Sequence, residues 1–169
     1  MKNKRNFFFI LILIASFHAH AQTTNYQSYA VLIHGLIKYS AWPNQQSEFK
    51  ITVLGNSKAY SEMEKSLAGK NINGHTIRVD KAEDIAGIQG ADIVYISEGK
   101  SNAIQEVVKA TTNAAAIIIT EREGLVRKGA GISFIIVDNK LRFDINNTDL
   151  EKRQIKVSAQ FASLANETL

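Results

Sequence analysis

Apolar and polar residues alternate along this chain with two different periods, and these periods predict helices and strands. Apolar side chains recur every three or four positions from Tyr26 to Tyr39, which indicates a helix with one broad buried face. Trp42-Pro43 ends this helix, because the residue before a proline is displaced from the helical region. Two more helices are predicted, one from the Gly55-Asn56-Ser57 turn to near Leu67 and one from Ser101 to Thr111.

Strand signals lie between these helices. The predicted strands run from Phe49 to Leu54, from Thr76 to Val79, from Asp92 to Ile96 and from Ala114 to Ile119. The last of them is apolar without alternation, as expected of a strand that is buried on both faces of a parallel sheet. Because strands and helices alternate four times, the sequence predicts a layered, open α/β sheet that is mostly parallel and has helices on both faces.

The pattern changes near the C-terminus. The strands from Ile132 to Val137 and from Leu141 to Ile145 are separated only by Asp138-Asn139-Lys140, and so short a link joins antiparallel neighbours. The sheet is therefore expected to end in a C-terminal antiparallel strand pair. Thr148 and Glu151 have the spacing of a capping box and predict a terminal helix. The apolar residues of that helix are Leu150, Ile155, Val157, Phe161 and Leu164.

The N-terminal residues predict export. Three cations precede an apolar run from Phe7 to Phe17, and Ala19-His20-Ala21 supplies a small-residue cleavage site. The run is shorter than the roughly 20 residues that a bilayer span needs. We therefore expect a secretory signal peptide over residues 1–21, cleaved after Ala21, and a single domain over residues 22–169.

The composition of the chain argues against nucleic-acid binding and excludes cysteine chemistry. The chain has 20 Lys and Arg against 16 Asp and Glu, and three of the cations lie in the signal peptide, so the mature chain has 17 against 16 and a net charge of +1. No basic run or stripe remains, so nucleic-acid binding is disfavoured. The sequence contains no cysteine, which excludes disulfides, thiolate metal sites and thiol-based redox control.

Small polar side chains follow three of the predicted elements. These residues are Asn56, Ser97 and Glu121. In an open α/β sheet, ligands bind at the carboxyl ends of the strands, so the three residues are candidates for binding a small polar or anionic ligand. The competing interpretation is that they are the caps and turns that every such fold contains.

Catalytic and metal chemistry finds little support in the sequence. An exported hydrolase with Ser97 as nucleophile is a further alternative, but the Gly-x-Ser-x-Gly elbow does not occur. His34 and His75 are the histidines of the mature chain, and neither has a second histidine or carboxylate at metal-ligand spacing. We therefore predict no catalytic residue, no metal site and no cofactor.

Four residues are candidates for contact with a partner. Arg142, Asp144 and Asn146 are two positions apart, so their side chains share one strand face and can form a charge-paired row. The competing interpretation is an edge strand protected by charge. Trp42 is the only tryptophan and forms a rigid corner with Pro43. Core packing is its default role, and an interface anchor is the alternative.

The chain resembles the YfiR-like family of exported bacterial proteins over nearly the whole mature sequence. The segments that carry the resemblance are Lys38 to Pro43, Phe49 to Gly55, Val94 to Ser97, Gly129 to Phe134, Leu141 to Asn146 and Val157 to Ala165. The resemblance implies a periplasmic α/β domain that regulates by protein contact and has no catalytic activity. The member that gives the family its name restrains an inner-membrane diguanylate cyclase by binding its periplasmic sensor region, which lowers cyclic-di-GMP output and biofilm formation.

One departure limits what the resemblance implies. Ala91-Asp92 stands where the family often has Cys-His, so redox control is not carried over. The leading hypothesis is a periplasmic regulatory protein that binds a membrane-anchored signalling protein through the sensor region of that partner. An exported protein that binds a small ligand, without a signalling partner, is the alternative. The sequence leaves a homodimer open.

Overall fold

The computed structural model describes residues 25–43, 46–55 and 57–169. The predicted signal peptide and the candidate Asn56 lie outside these residues. Within the described part of the chain, no helix combines the length and the apolar content that crossing a bilayer requires.

Short helices and strands alternate along the described chain. The α-helices are α1 (Tyr26–Lys38), α2 (Lys58–Leu67), α3 (Ile104–Ala110), α4 (Asn147–Lys152) and α5 (Ala159–Ala162). The strands are β1 (Ser40–Ala41), β2 (Glu48–Leu54), β3 (Asn71–Ile72), β4 (His75–Ala82), β5 (Ile93–Ile96), β6 (Ile117–Thr120), β7 (Ile132–Val137), β8 (Lys140–Ile145), β9 (Lys156–Val157) and β10 (Glu167–Thr168). Residues Ala86–Ile88, Glu98–Ala103 and Leu125–Lys128 form 3₁₀ turns.

The main sheet is open and mostly parallel. Its eight strands lie in the order β10-β8-β7-β6-β5-β2-β4-β3 across the described residues. The strands from β4 through β2, β5 and β6 to β7 are parallel to one another. β7 and β8 pair antiparallel, and β1 and β9 form a separate small antiparallel sheet. The predicted mostly parallel sheet with a C-terminal antiparallel strand pair is confirmed.

Apolar cores lie on both faces of the main sheet, as predicted. The core on one face contains side chains of α1, α2, α4 and α5 together with strand residues such as Ile51 and Tyr95. The core on the other face contains side chains of α3 and the 3₁₀ turns together with Val94 and Ile96. β5 and β6 are buried along their whole length, which is why their sequences are apolar without alternation.

Local side-chain contacts explain where the first two helices begin and end. Ser57 caps α2, because its hydroxyl oxygen accepts a hydrogen bond from the backbone N–H of Ala59 at 3.0 Å. The helix therefore begins directly after the predicted Gly55-Asn56-Ser57 turn. At the end of α1, the carboxamide of Asn73 donates hydrogen bonds to the carbonyls of Ile37 and Lys38, at 3.1 and 2.9 Å.

The predicted terminal helix is wrong. α4 ends at Lys152, Gln154 adopts a φ of 59°, and the remaining chain forms β9, α5 and β10. Leu150, Ile155 and Val157 are spaced by five and then by two positions, and these periods do not fit one helix face. Leu150, Ile155 and Phe161 do belong to the core, with Val157 packed against it, but they reach it from several short elements.

The last residues extend the main sheet. β10 pairs parallel with the second half of β8, with Glu167 opposite Asp144 and Thr168 opposite Ile145. Leu164, predicted to face the core from a helix, is exposed. The second half of β8 is therefore an internal strand, and only its first half lies at the edge of the described sheet.

Candidate functional site

The crevice between the ends of β2 and β5 is where this topology is expected to bind a ligand. The connection after β2 covers one face of the sheet and the connection after β5 covers the other, so the chain diverges there. Ser97 is buried in this crevice, and its hydroxyl donates a hydrogen bond to the carbonyl of Leu54 at 2.9 Å. Gly55 has a φ of 97°, and a Cβ atom there would lie 2.5 Å from Oγ of Ser97 and 2.7 Å from Cγ of Lys100. The protein's own side chains therefore fill the crevice.

The same geometry weakens the case for Ser97 as a nucleophile. Its hydroxyl proton is donated to a main-chain carbonyl, whereas a nucleophilic serine donates to a general base. The contact instead ties β5 to β2 at the point where the two connections diverge.

Directly after β6, the chain carries a half-buried carboxylate, that of Glu121, among tyrosine side chains. The hydroxyl of Tyr26 donates a hydrogen bond to Oε2 of Glu121 at 3.2 Å. The other carboxylate oxygen is buried without a hydrogen-bond partner, and the buried hydroxyl of Tyr95 lies beside the carboxylate without hydrogen-bond geometry. None of the ion pairs among the described residues involves Glu121.

Burial and nearby negative charge move the pKa values of this cluster upward. Burial raises the pKa of Glu121, and the neighbouring Glu98 adds to the rise. Burial raises the pKa of Tyr29 to about 12, and the charge of Glu121 contributes to that shift. Burial also raises the pKa of Tyr95. The cluster therefore favours the neutral, protonated forms of its members.

The predicted row of Arg142, Asp144 and Asn146 does not form one exposed surface. Asp144 is buried, and its carboxylate accepts a hydrogen bond from the carboxamide of Asn166 at 2.9 Å. No ion pair joins Arg142 to Asp144, both of which are described. The reason is the segment that leads into β10, because Asn166, directly before that strand, supplies Asp144 with a different partner.

Asn146 caps the N-terminus of α4. Its Oδ1 accepts a hydrogen bond from the backbone N–H of Asp149 at 2.9 Å, so Asn146 is the helix cap and Thr148, the predicted one, is not. Its Nδ2 donates to the carbonyl of Val126 at 2.8 Å. The side chain thus joins α4 to the 3₁₀ turn before β7, and Arg142 is the member of the row that remains exposed.

Arg142 belongs to a part of the β7–β8 hairpin that extends past β6. β6 pairs with β7 only as far as Ser133, whereas the hairpin continues with Ile135 opposite Arg142 and Ile136 opposite Leu141. The side chain of Ile136 is 51% exposed. We call Ile136, Leu141 and Arg142 the hairpin surface. Its apolar pair lies on one face of the hairpin and its guanidinium on the other.

Trp42 lies at the opposite end of the sheet from the hairpin surface. It packs edge to face against Phe49 near the start of β2, with ring centroids 4.7 Å apart and an interplanar angle of 87°. β2 and β7 run in the same direction, so the start of one and the end of the other are at opposite ends. Trp42 and Arg142 therefore cannot belong to one compact site.

The tyrosines around Glu121 are not among the residues predicted for a site. A signal for them exists, because Tyr26 and Tyr29 are three positions apart on one side of a helix. Tyr95 is the one aromatic residue of the buried strand β5. Only the pairing of β5 with β6 and the packing of α1 across them bring these three residues to Glu121.

The topology defines an open, doubly wound α/β protein. The sequence matches the YfiR/HmsC-like family over residues 26–166, and the chain belongs to that family. The match extends from the first residue of α1 to just before β10. No curated protein matches the sequence.

Two solved structures share the fold. One is a conserved domain protein from Vibrio cholerae O1 biovar El Tor, with a TM-score of 0.62 and 15% identity over 86% of this chain. The other is an ABC domain from Streptococcus pneumonia in complex with L-Trp, with a TM-score of 0.59 and 12% identity over 85% of this chain. This chain spans 60% of the length of each. At these identities the likeness concerns the fold alone.

Proposed function

We propose that this protein is a periplasmic regulatory protein that binds a membrane-anchored signalling protein and restrains it by contact. In the form that the family suggests, the partner is a diguanylate cyclase, the contact is made with its periplasmic sensor region, and cyclic-di-GMP output falls. The observation that carries the proposal is membership of the YfiR/HmsC-like family over residues 26–166. The activity belongs to the partner, and this protein needs no catalytic group of its own.

The hairpin surface supports a contact of this kind. The exposed side chain of Ile136 and the guanidinium of Arg142 lie on opposite faces of the hairpin, so they suit a partner that grips this edge with an apolar contact on one face and a carboxylate on the other. The main-chain carbonyls of Phe143 and Ile145 accept hydrogen bonds from the segment that contains β10. Every second residue of a strand points its carbonyl to the same edge, so the carbonyl of Leu141 points to this edge as well. No described strand lies beside that part of β8. A partner can therefore add main-chain hydrogen bonds to side-chain contacts.

Restraint follows if the protein binds one conformation of its partner better than another. A regulator shifts such an equilibrium only by the difference between its affinities for the two states. Binding the inactive state about tenfold more tightly stabilises that state by about 1.4 kcal/mol. The contact needs no chemistry beyond this difference.

The test uses two substitutions on the hairpin surface. Arg142→Glu reverses the exposed charge, and Ile136→Asp removes the exposed apolar side chain. We expect each variant to lose at least about tenfold in affinity for the sensor region in a pulldown from membranes. In cells, each is expected to raise cyclic-di-GMP to the level of a strain that lacks the protein.

Lys65→Glu is the matched control, because Lys65 is an exposed cation on α2, beside the half of the sheet that is remote from the hairpin. It is expected to leave both readouts unchanged. The proposal fails if deleting the gene does not change cyclic-di-GMP and the pulldown recovers no signalling protein. If only Lys65→Glu has an effect, the contact lies elsewhere and the hairpin surface is wrong.

A further inference from the structure

A cavity of about 370 Å³ opens between the turn after α3 and the end of α4, and we call it the α4 cavity. It is lined by residues 112–115 of the turn, by residues 152–154 and by Pro43. Its volume lies in the range of roughly 300–1,000 Å³ that small-molecule sites occupy. Residues 112–115 precede β6, whereas the hairpin surface lies past the end of β6. The two are therefore at opposite ends of the sheet.

A buried guanidinium with free donors lines the α4 cavity. The side chain of Arg153 is only 5% exposed. Its Nε donates to Asp149, and its Nη1 donates to the carbonyl and the hydroxyl of Thr111, at 2.9 and 3.2 Å. A guanidinium has five N–H groups, so the two on Nη2 remain. Nη2 makes no hydrogen bond within the described protein and is not sealed off from solvent, so its donors are available to a ligand in the cavity.

A second cation gives the α4 cavity a net positive charge. Lys152 is exposed and takes part in none of the ion pairs among the described residues. No described lining residue is an Asp or a Glu. Asp149 compensates the charge of Arg153, so these two cations and one anion leave a charge of +1. A monoanion matches this charge, whereas a dianion would lose hydration without full compensation.

The third polar group of the cavity stands at a strained position. The N–H of Gln154 donates to the carbonyl of Glu151, and that of Ile155 to the carbonyl of Leu150, both at 2.9 Å. These bonds form a Schellman motif, in which the left-handed residue is usually glycine. Gln154 occupies that position with a φ of 59°. The chain therefore keeps a side chain at the cavity at the cost of backbone strain, as ligand sites often do.

We propose that the α4 cavity binds a small organic monocarboxylate. The planar guanidinium of Arg153 and the ammonium of Lys152 bind the carboxylate, and the carboxamide of Gln154 adds a hydrogen bond. The carbon chain of the ligand packs against Pro43 and the two alanines at positions 114 and 115. This site is separate from the protein contact proposed above, and neither proposal depends on the other.

Butyrate is the probe, and amide signals in nuclear magnetic resonance spectra report where it binds. Butyramide keeps the carbon chain without the charge, and inorganic phosphate at pH 8 is a dianion. We expect saturable shifts for residues 112–115 and 152–154 and for the Nε–H of Arg153, with a dissociation constant of about 1–10 mM. Butyramide, and sodium chloride at the same ionic strength, should give no saturable shift, and phosphate should bind at least about threefold more weakly.

Lys152→Gln tests the contribution of the ammonium. Because this lysine forms no ion pair within the described protein, the substitution should not destabilise the fold, which a thermal melt checks. It is expected to weaken butyrate binding about fivefold. Lys156→Gln is the matched control, since Lys156 is an exposed cation of the same segment that does not line the cavity. The control should bind butyrate as the unmodified protein does.

Gln154→Gly separates binding from stability. Glycine adopts the left-handed conformation without strain, so the midpoint of thermal unfolding should be at least as high as that of the unmodified protein. The same substitution removes the carboxamide, and we expect butyrate binding to weaken about fivefold. A residue that only shapes the turn would leave the affinity unchanged.

Four results would overturn the proposal. Shifts that grow linearly with butyrate and equal those of sodium chloride would mean that the cavity holds only water. Equal affinities for phosphate and butyrate would mean that it does not select a carboxylate. Equal binding by the Lys152→Gln and Lys156→Gln proteins would mean that the ammonium does not contact the ligand. Full affinity of the Gln154→Gly protein would assign the carboxamide to the turn alone.

Discussion

The carboxylate of Glu121 has tyrosine hydroxyls near it, and none of the ion pairs among the described residues involves it. Burial raises its pKa above the usual value of 4.5, so the folded protein holds the proton more tightly than the unfolded chain does. The contribution of this group to stability is therefore fully present below pH 4.5 and is lost as the pH rises through the folded-state pKa. Above that pKa, a half-buried negative charge opposes folding.

Glu121→Gln should remove this pH dependence, because the amide keeps the shape of the side chain and cannot ionise. We expect the free energy of unfolding of the unmodified protein to fall with rising pH above 4.5, and that of the variant to fall less. Urea titrations at a series of pH values measure the difference. Glu123→Gln, at the exposed position two residues later, is the control. Identical profiles for the Glu121→Gln variant and the unmodified protein would contradict the assignment.

α4 shows how a short element depends on side chains outside its own backbone. A six-residue helix is too short to be stable alone. Asn146 caps its first turn. At its end, the buried guanidinium of Arg153 donates to Asp149 at 2.7 Å and to the carbonyl of Thr111, after α3, at 2.9 Å. These contacts hold α4 against the rest of the fold.

Two substitutions at Asn146 separate the cap from the amide contact. Asn146→Ala removes both, and we expect a loss of about 2 kcal/mol in the free energy of unfolding. Asn146→Asp keeps the cap oxygen and loses only the donor to Val126, so about 1 kcal/mol is expected. Chemical denaturation measures both values. Asn113→Ala, in an exposed turn, should change stability by less than about 0.5 kcal/mol. Equal losses for Asp and Ala would show that the cap does not contribute.

The elements that the sequence predicted well are those that leave a pattern of their own in the sequence. β5 and β6 were predictable because full burial leaves an unbroken apolar run, and α1 because one face carries its apolar residues. β1, β3, β9 and β10 are two residues long, too short for any period to be visible. β1 and β9 exist only through their pairing with each other and β10 through its pairing with β8, whereas β3 forms a tight hairpin with the adjacent β4.

The same reason limits what the sequence says about a site. The spacing of Arg142, Asp144 and Asn146 correctly indicates alternation along a strand, but it cannot reveal that β10 covers Asp144. Likewise the sequence places Ser97 in a turn after a strand, where a side chain is commonly accessible. In the structure Ser97 is buried, and its hydroxyl and the side chain of Lys100 lie close to Gly55. The α4 cavity is formed by Pro43, the turn after α3 and the end of α4, and no local pattern indicated that these segments lie together.

The molecule as a whole has a rigid centre and weakly held margins. β5 and β6 are buried on both faces and bonded on both edges, whereas β1, β9, β3 and β10 are two-residue strands at the periphery. Local opening costs least where few buried contacts hold a segment.

Hydrogen exchange should follow this division. We expect the amides of β5 and β6 to exchange only through global unfolding, and those of the peripheral strands to exchange at least about a hundredfold faster. Mass spectrometry of peptides after deuterium labelling measures the rates. Under mild denaturant, the rates of the central strands should track the global stability while the peripheral rates stay nearly constant. Uniform protection across the sheet would contradict this picture.

The pairing of β1 with β9 has a consequence for how the chain is made. Ser40 and Ala41 follow the first helix, and their partners Val157 and Lys156 come near the end of the sequence. The backbone N–H of Ser158 also donates to the carbonyl of Tyr39 at 2.8 Å. A ribosome delivers the N-terminal segment first, so Ser40 and Ala41 have no strand partner until residues 156–158 have been synthesised. The small sheet of β1 and β9 therefore forms late, after the strands of the main sheet up to β8 have already left the ribosome.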